Sequence, residues 1–134
     1  MSYARPRPQI SDLVRRLLYV DAAIEFLFAV ALTGLIGRVH FWLNVERPAT
    51  LAGAVVFAVA GVAVLGLAIW RATPESAVRA LATANVGGGV AVWVAALLNW
   101  SRFESEGQWL VIFAADLFIA LGVLQLLALR KNGR

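Results

Sequence analysis

Residues 50–70 read TLAGAVVFAVAGVAVLGLAIW, 21 positions without a charge or a proline. A helix of that length rises about 30 Å, the thickness of the hydrocarbon core of a bilayer. Polarity does not alternate along it, as it would in a strand of a membrane barrel, and a barrel strand is about half as long. In lipid the backbone N–H and C=O groups must be satisfied within the segment itself, so the stretch predicts a transmembrane helix.

Working outward, the same pattern recurs at residues 13–36, 77–100 and 108–129, each block bounded by short charged or proline-containing breaks. Hydrophobic residues make up 61% of the 134-residue chain and charged residues 15%. A soluble domain carries about 25% charge, so this chain has too little polar surface to clothe a soluble globule. The expected fold is an all-α membrane protein: an antiparallel four-helix transmembrane bundle with a short interfacial segment in the first outer loop. We read one domain over residues 1–134, with residues 1–12 as a flexible cytoplasmic tail carrying Arg5, Pro6, Arg7 and Pro8. A cleaved signal peptide is the competing reading of the first block. It is disfavoured because Asp21 and Glu25 would fall in its apolar region.

The basic residues orient the bundle. Arg5, Arg7, Arg15 and Arg16 precede the first span, Arg71 and Arg79 border the break between the second and third, and Arg130, Lys131 and Arg134 follow the fourth. The other two loops carry only Arg38, Arg47 and Arg102. Positive residues hold loops in the cytoplasm, so both termini are expected there. The net charge of +4 sits at span ends rather than along one exposed face, which argues against a nucleic-acid partner and for lipid headgroups. Lys131 is the only lysine among 12 basic residues. That preference for arginine suggests a GC-rich bacterial gene, hence a multi-pass protein of the inner (plasma) membrane. Cysteine is absent and His40 is the only histidine, so no metal or cofactor is expected.

Residues 37–49 form the longest outer loop. Its Phe41 and Trp42, with Trp70, Trp100 and Trp109 at span ends, read as interface anchors. A short surface helix is expected there, with Pro48 opening the second span, where a missing N–H costs little. Mostly small residues line two stripes, Ala54, Ala58, Gly61, Leu65 and Ala68 on the second span and Ala84, Gly88, Ala91 and Ala95 on the third. Such stripes let helices approach closely. They make the bilayer, further copies of this chain or a larger membrane complex the expected partners.

The spans are not uniformly apolar. Asp21 and Glu25 share a face of the first, Asn85 and Asn99 lie on one stripe of the third with Gly89, Val92 and Ala96, and Asp116 is near the middle of the fourth. Gln125 is half a turn out of phase with Asp116 and is expected to face elsewhere. A carboxyl at the centre of a span costs about 2.5–3.5 kcal/mol on insertion scales, and no base lies at that depth. Either some of these acids carry a proton, or water reaches them, or they face a cation. Asp21, Glu25, Asn85 and Asp116 are therefore the candidate functional cluster. Its plainest use is hydrogen bonding between helices. The active alternatives are a proton or cation path and a carboxyl acid/base pair acting on a lipophilic substrate.

An aromatic outer loop (Phe41, Trp42), a span opening at Pro48, a third span with Asn85 and Trp93, and a last span with Gln125 and Arg130 together resemble uncharacterised four-span bacterial inner-membrane proteins that are broadly DoxX-like. The resemblance implies a fold and a location, and carries no catalytic residue. A likeness to the small multidrug resistance transporters ends at the carboxyl of the first span, because that family's glycine and downstream lysine are missing around Glu25. The leading expectation for function is a non-catalytic or accessory role.

Overall fold

The computed structural model describes residues 9–132. The expected tail therefore lies mostly outside the described residues, but its end is packed: Ile10 is buried against the bundle and Ser11 caps the first helix by accepting a hydrogen bond from the Val14 N–H at 3.2 Å. Five α-helices follow, α1 (Asp12–Gly34), α2 (Ile36–Leu43), α3 (Arg47–Ile69), α4 (Glu75–Leu98) and α5 (Ser105–Asn132), with a 3-10 turn at Trp100–Arg102 before α5. No strand occurs among the described residues.

Helices α1, α3, α4 and α5 are long and apolar enough to cross a membrane. Their exposed surface is hydrophobic: Leu27, Val55, Val59, Val62 and Leu98 all face outward. In water such a surface would drive aggregation; in lipid it is the solvated face. The chain is a four-span helical membrane bundle.

Local chemistry ends each span as lipid requires. Pro48 lies in the first turn of α3, where its missing N–H removes nothing from the helix. The orphan carbonyls at the other end of α3 are satisfied in trans. The Arg15 guanidinium of α1 donates to the carbonyls of Ala68 and, at 3.0 Å, Trp70. Thr73 Oγ1 lies within hydrogen-bonding distance of the Leu67 and Trp70 carbonyls, at 2.6 and 2.7 Å. Arginine can serve here because its planar fork reaches more than one acceptor.

The expected short helix in the first outer loop is α2. It closes on Asn44 in the left-handed region (φ 52°), a C-cap that asparagine tolerates. The His40 Nδ1–H donates to the Val45 carbonyl across this turn. The Glu104 N–H donates to the Trp42 carbonyl at 2.9 Å, and Gly107 runs so close to that carbonyl that a Cβ would collide with it. Helix α2 is thereby stitched to the start of α5. Phe41, Trp70 and Trp109 are exposed at span ends, and Trp42 and Trp100 are half-buried.

Packing divides the bundle into two pairs. Helix α1 lies along α3, and α4 along α5; α1 joins the pairs through α5, while α3 and α4 scarcely touch. The second-span stripe faces α1 as the spacing predicts: Ala54, Gly61 and Ala68 are buried, and a Cβ on Gly61 would meet the Phe26 ring at 3.0 Å. The third-span stripe does not. Ala84, Gly88, Ala91 and Ala95 are exposed, and α4 instead packs through Ala82, Asn85, Gly89 and Ala96. A Cβ on Gly89 would lie 2.7 Å from the Ala115 carbonyl, and one on Gly122 would lie 2.5 Å from that of Ala82.

Candidate functional site

The buried face of α1 runs Val14, Leu18, Asp21, Ala22, Glu25 and Ala29, a helical stripe in which two acids occupy core positions. The close approach of α4 to α5 brings an amide from each helix against the first acid. Asn85 Nδ2 and Gln125 Nε2 each donate to Asp21 Oδ2 at 2.7 Å, and Asn85 Nδ2 also reaches Gln125 Oε1 at 3.2 Å. Asp21 and Gln125 are wholly buried. Three helices are thus pinned at one point. Interhelical hydrogen bonds in membranes contribute about 0.6–1.7 kcal/mol each.

Glu25 lies one turn further along α1. It is 5% exposed and its Oε2 is buried without a hydrogen-bond partner. It lines a crevice of about 220 Å³ between α3 and α4. The crevice exists because the two helix pairs are joined on the α1–α5 side and part on the α3–α4 side. Its walls are Val56, Phe57 and Ala60 of α3, Ala84, Asn85, Gly88, Gly89 and Val92 of α4, and Ala114 and Phe118 of α5. Gly88 faces its open space, where a Cβ would meet nothing within 4 Å.

Layers insulate Glu25 along the bundle axis. Towards the outer loops, Phe28, Phe57 and Phe118 form a ring cluster with centroids 5.2, 5.6 and 5.9 Å apart. Towards the termini come the Asp21–Asn85–Gln125 layer and then an apolar plug that includes Val14, Leu18, Val64, Val78 and Leu129.

Asp116 does not join this group. It is exposed on the outer surface of α5, where Trp93 Nε1 of α4 donates to its Oδ1 at 2.7 Å. The reason is rotational phase. Ala115, Gly122 and Leu129 mark the packed face of α5, and Asp116 falls about 100° round from Ala115. Depth along the helix agreed with membership of the cluster; direction did not. Gln125 does face away from Asp116, as its spacing predicts, but the side it faces is the core. The signal that could have found it was the small-residue spacing Ala115, Gly122. Asn99 and His40 serve local structure, Asn99 Nδ2 donating to the Ala95 carbonyl at 2.8 Å. No group of three histidines and carboxylates able to hold a metal occurs among the described residues.

The candidate site is therefore a bundle-core carboxyl tied by two amides, beside a second carboxyl that opens onto a lipid-side crevice. No family model matches the chain, and comparison with the curated proteins and the solved structures found no match.

Proposed function

We propose that this small multi-pass membrane protein has a non-catalytic role and holds a lipophilic ligand in the crevice between α3 and α4, with Glu25 meeting a hydrogen-bond donor on that ligand. One observation carries the reading: a carboxyl 95% buried, one oxygen of it unpartnered, on the wall of a mid-span crevice built largely of small and aromatic side chains. Asp21 also keeps one buried oxygen, Oδ1, without a partner, but its Oδ2 is tied to two neighbouring helices, whereas Glu25 lines the crevice. The preferred ligand is an amphiphile with an amine head and an alkyl tail, the head facing Glu25 and the Phe57 and Phe118 rings and the tail lying among the lipids.

Two other readings are less well supported. An acid/base pair needs two carboxyls facing one substrate; Glu25 is the single carboxyl among the lining residues, and Asp116 is on the opposite surface. A proton-coupled carrier would use Glu25 as well, but the aromatic layer on one side and the amide layer and apolar plug on the other favour binding over passage.

The test is equilibrium binding of a fluorescent dodecylamine derivative to the protein in nanodiscs. Saturable binding is expected, lost in Glu25→Leu and in Gly88→Leu, which fills the crevice from an open position. If both variants bind the amine as the parent does, the crevice is not a ligand site. Proton release on binding that disappears in Glu25→Gln, together with uptake of the amine into vesicles, would favour the carrier.

The same proposal takes the chain to be one of the DoxX-like four-span bacterial proteins of the inner membrane, with both termini cytoplasmic. Its support is the aromatic α2, the α3 start at Pro48, Asn85 and Trp93 on α4, Gln125 and Arg130 on α5, and the basic residues gathered at the end that carries the termini.

A further inference from the structure

Helix α5 is the longest helix among the described residues, and it ends on the side of the bundle that carries both termini. It runs 28 residues, about 42 Å of helix, against 23 for α1 and α3 and 24 for α4. A 42 Å helix exceeds a hydrocarbon core of about 30 Å, and the two charges of its last turn, Arg130 and Lys131, suit headgroup level.

A hollow lies between this end of α5 and α4. Val123, Leu126 and Leu127 form its apolar wall, and Arg79 of α4 and Arg130 of α5 border it. The register follows from the glycine contact described above: Gly122 packs on Ala82 and Val86, so Arg79, one turn nearer the end, falls beside Leu126 and Leu129. Val123 is seven residues inward of Arg130, about 10 Å deeper. The hollow thus offers two guanidinium groups above about 10 Å of apolar wall. Arg130 also borders a second hollow on the α1 side, with Leu13, Leu17 and Lys131, which adds positive charge. One acid, Glu75, shares a neighbouring hollow with Arg79, so cations outnumber it. Arg15 contrasts with these side chains, being engaged on the end of α3.

We infer that the α4–α5 hollow is a binding site for an anionic phospholipid. The phosphate sits between Arg79 and Arg130, whose planar forks match its oxygens, and the first part of an acyl chain lies along Val123, Leu126 and Leu127. The site is separate from the Glu25 crevice, and neither depends on the other.

Native mass spectrometry of the delipidated protein in detergent tests the inference. Dioleoylphosphatidylglycerol is expected to bind about thirtyfold more tightly than dioleoylphosphatidylcholine, in line with the attraction of two basic residues for an anionic headgroup. The double variant Arg79→Gln, Arg130→Gln should lose that preference. Arg71→Gln with Arg102→Gln removes the same charge away from the hollow and should keep it. Should the double variant fail to fold, Arg130→Gln alone, in the exposed last turn, should still reduce it. Equal binding of the two lipids overturns the inference. So does an equal loss in the distant variant, which would indicate bulk charge, or displacement of the lipid by an equal concentration of glycerol phosphate, which would indicate a free-phosphate site.

Discussion

Asp21 and Glu25 differ by one helical turn and by their partners. Asp21 receives two amide donors on Oδ2 and none on Oδ1; Glu25 has its Oε2 buried without a partner and lines a crevice. Substitution should separate these roles. Gln125→Leu removes a bond between α5 and α1 and leaves Asp21 less satisfied, so stability in detergent, read by unfolding in sodium dodecyl sulfate, should fall by about 0.6–1.7 kcal/mol. Glu25→Leu should act in the opposite direction, raising stability on the order of 1 kcal/mol by replacing an unpartnered buried carboxyl with an apolar side chain, as substitutions at functional positions often do. A fall on Glu25→Leu would mean that the carboxyl holds the bundle together. Asp116→Asn, at an exposed position, should leave stability within about 0.5 kcal/mol.

At the scale of elements, the three consecutive glycines of α4 have different surroundings. Gly89 lies against α5, where any side chain must displace the Ala115 carbonyl or Ile119; Gly87 and Gly88 face open space. Gly89→Ala is expected to destabilise the bundle by about 1–3 kcal/mol through overpacking, and Gly87→Ala to be neutral or stabilising by up to about 1 kcal/mol. Thermal unfolding followed by circular dichroism distinguishes them. Equal effects at both positions would show that the glycines act through helix propensity rather than through packing. Of the local boundary signals only Pro48, in the first turn of α3, was read from the sequence; the N-cap at Ser11 and the left-handed Asn44 after α2 emerged with the structure.

Over the whole molecule, four crossings put the α3–α4 turn and the start of α5 on opposite sides of the membrane. Because the chain has no cysteine, single cysteines at Ser76 and Ser105 report this without background. In sealed right-side-out vesicles an impermeant maleimide should label the cysteine at 105 and spare that at 76 until the vesicles are opened. The reverse pattern would invert the proposed orientation, and labelling of both would contradict the number of crossings.

The number of spans, their ends to within three residues and the short helix after the first span were legible in the sequence. Length and hydropathy are properties of contiguous residues, and the cost of burying polar backbone in lipid leaves one solution for each apolar block. The sequence also singled out Asp21, Glu25 and Asn85, since polar side chains at mid-span depth stand out against their neighbours. The rotation of each helix about its axis emerged from packing alone. In water the apolar face of a helix turns inward and announces itself. In a bilayer both the lipid and the bundle core are apolar, so an alanine stripe can face either, and hydrophobicity does not choose between them. That is why Asp116 and Gln125 exchanged places relative to expectation, why the exposed stripe of α4 was read as its packing face, and why the crevice beside Glu25 emerged only when two helix pairs met along one side and parted along the other.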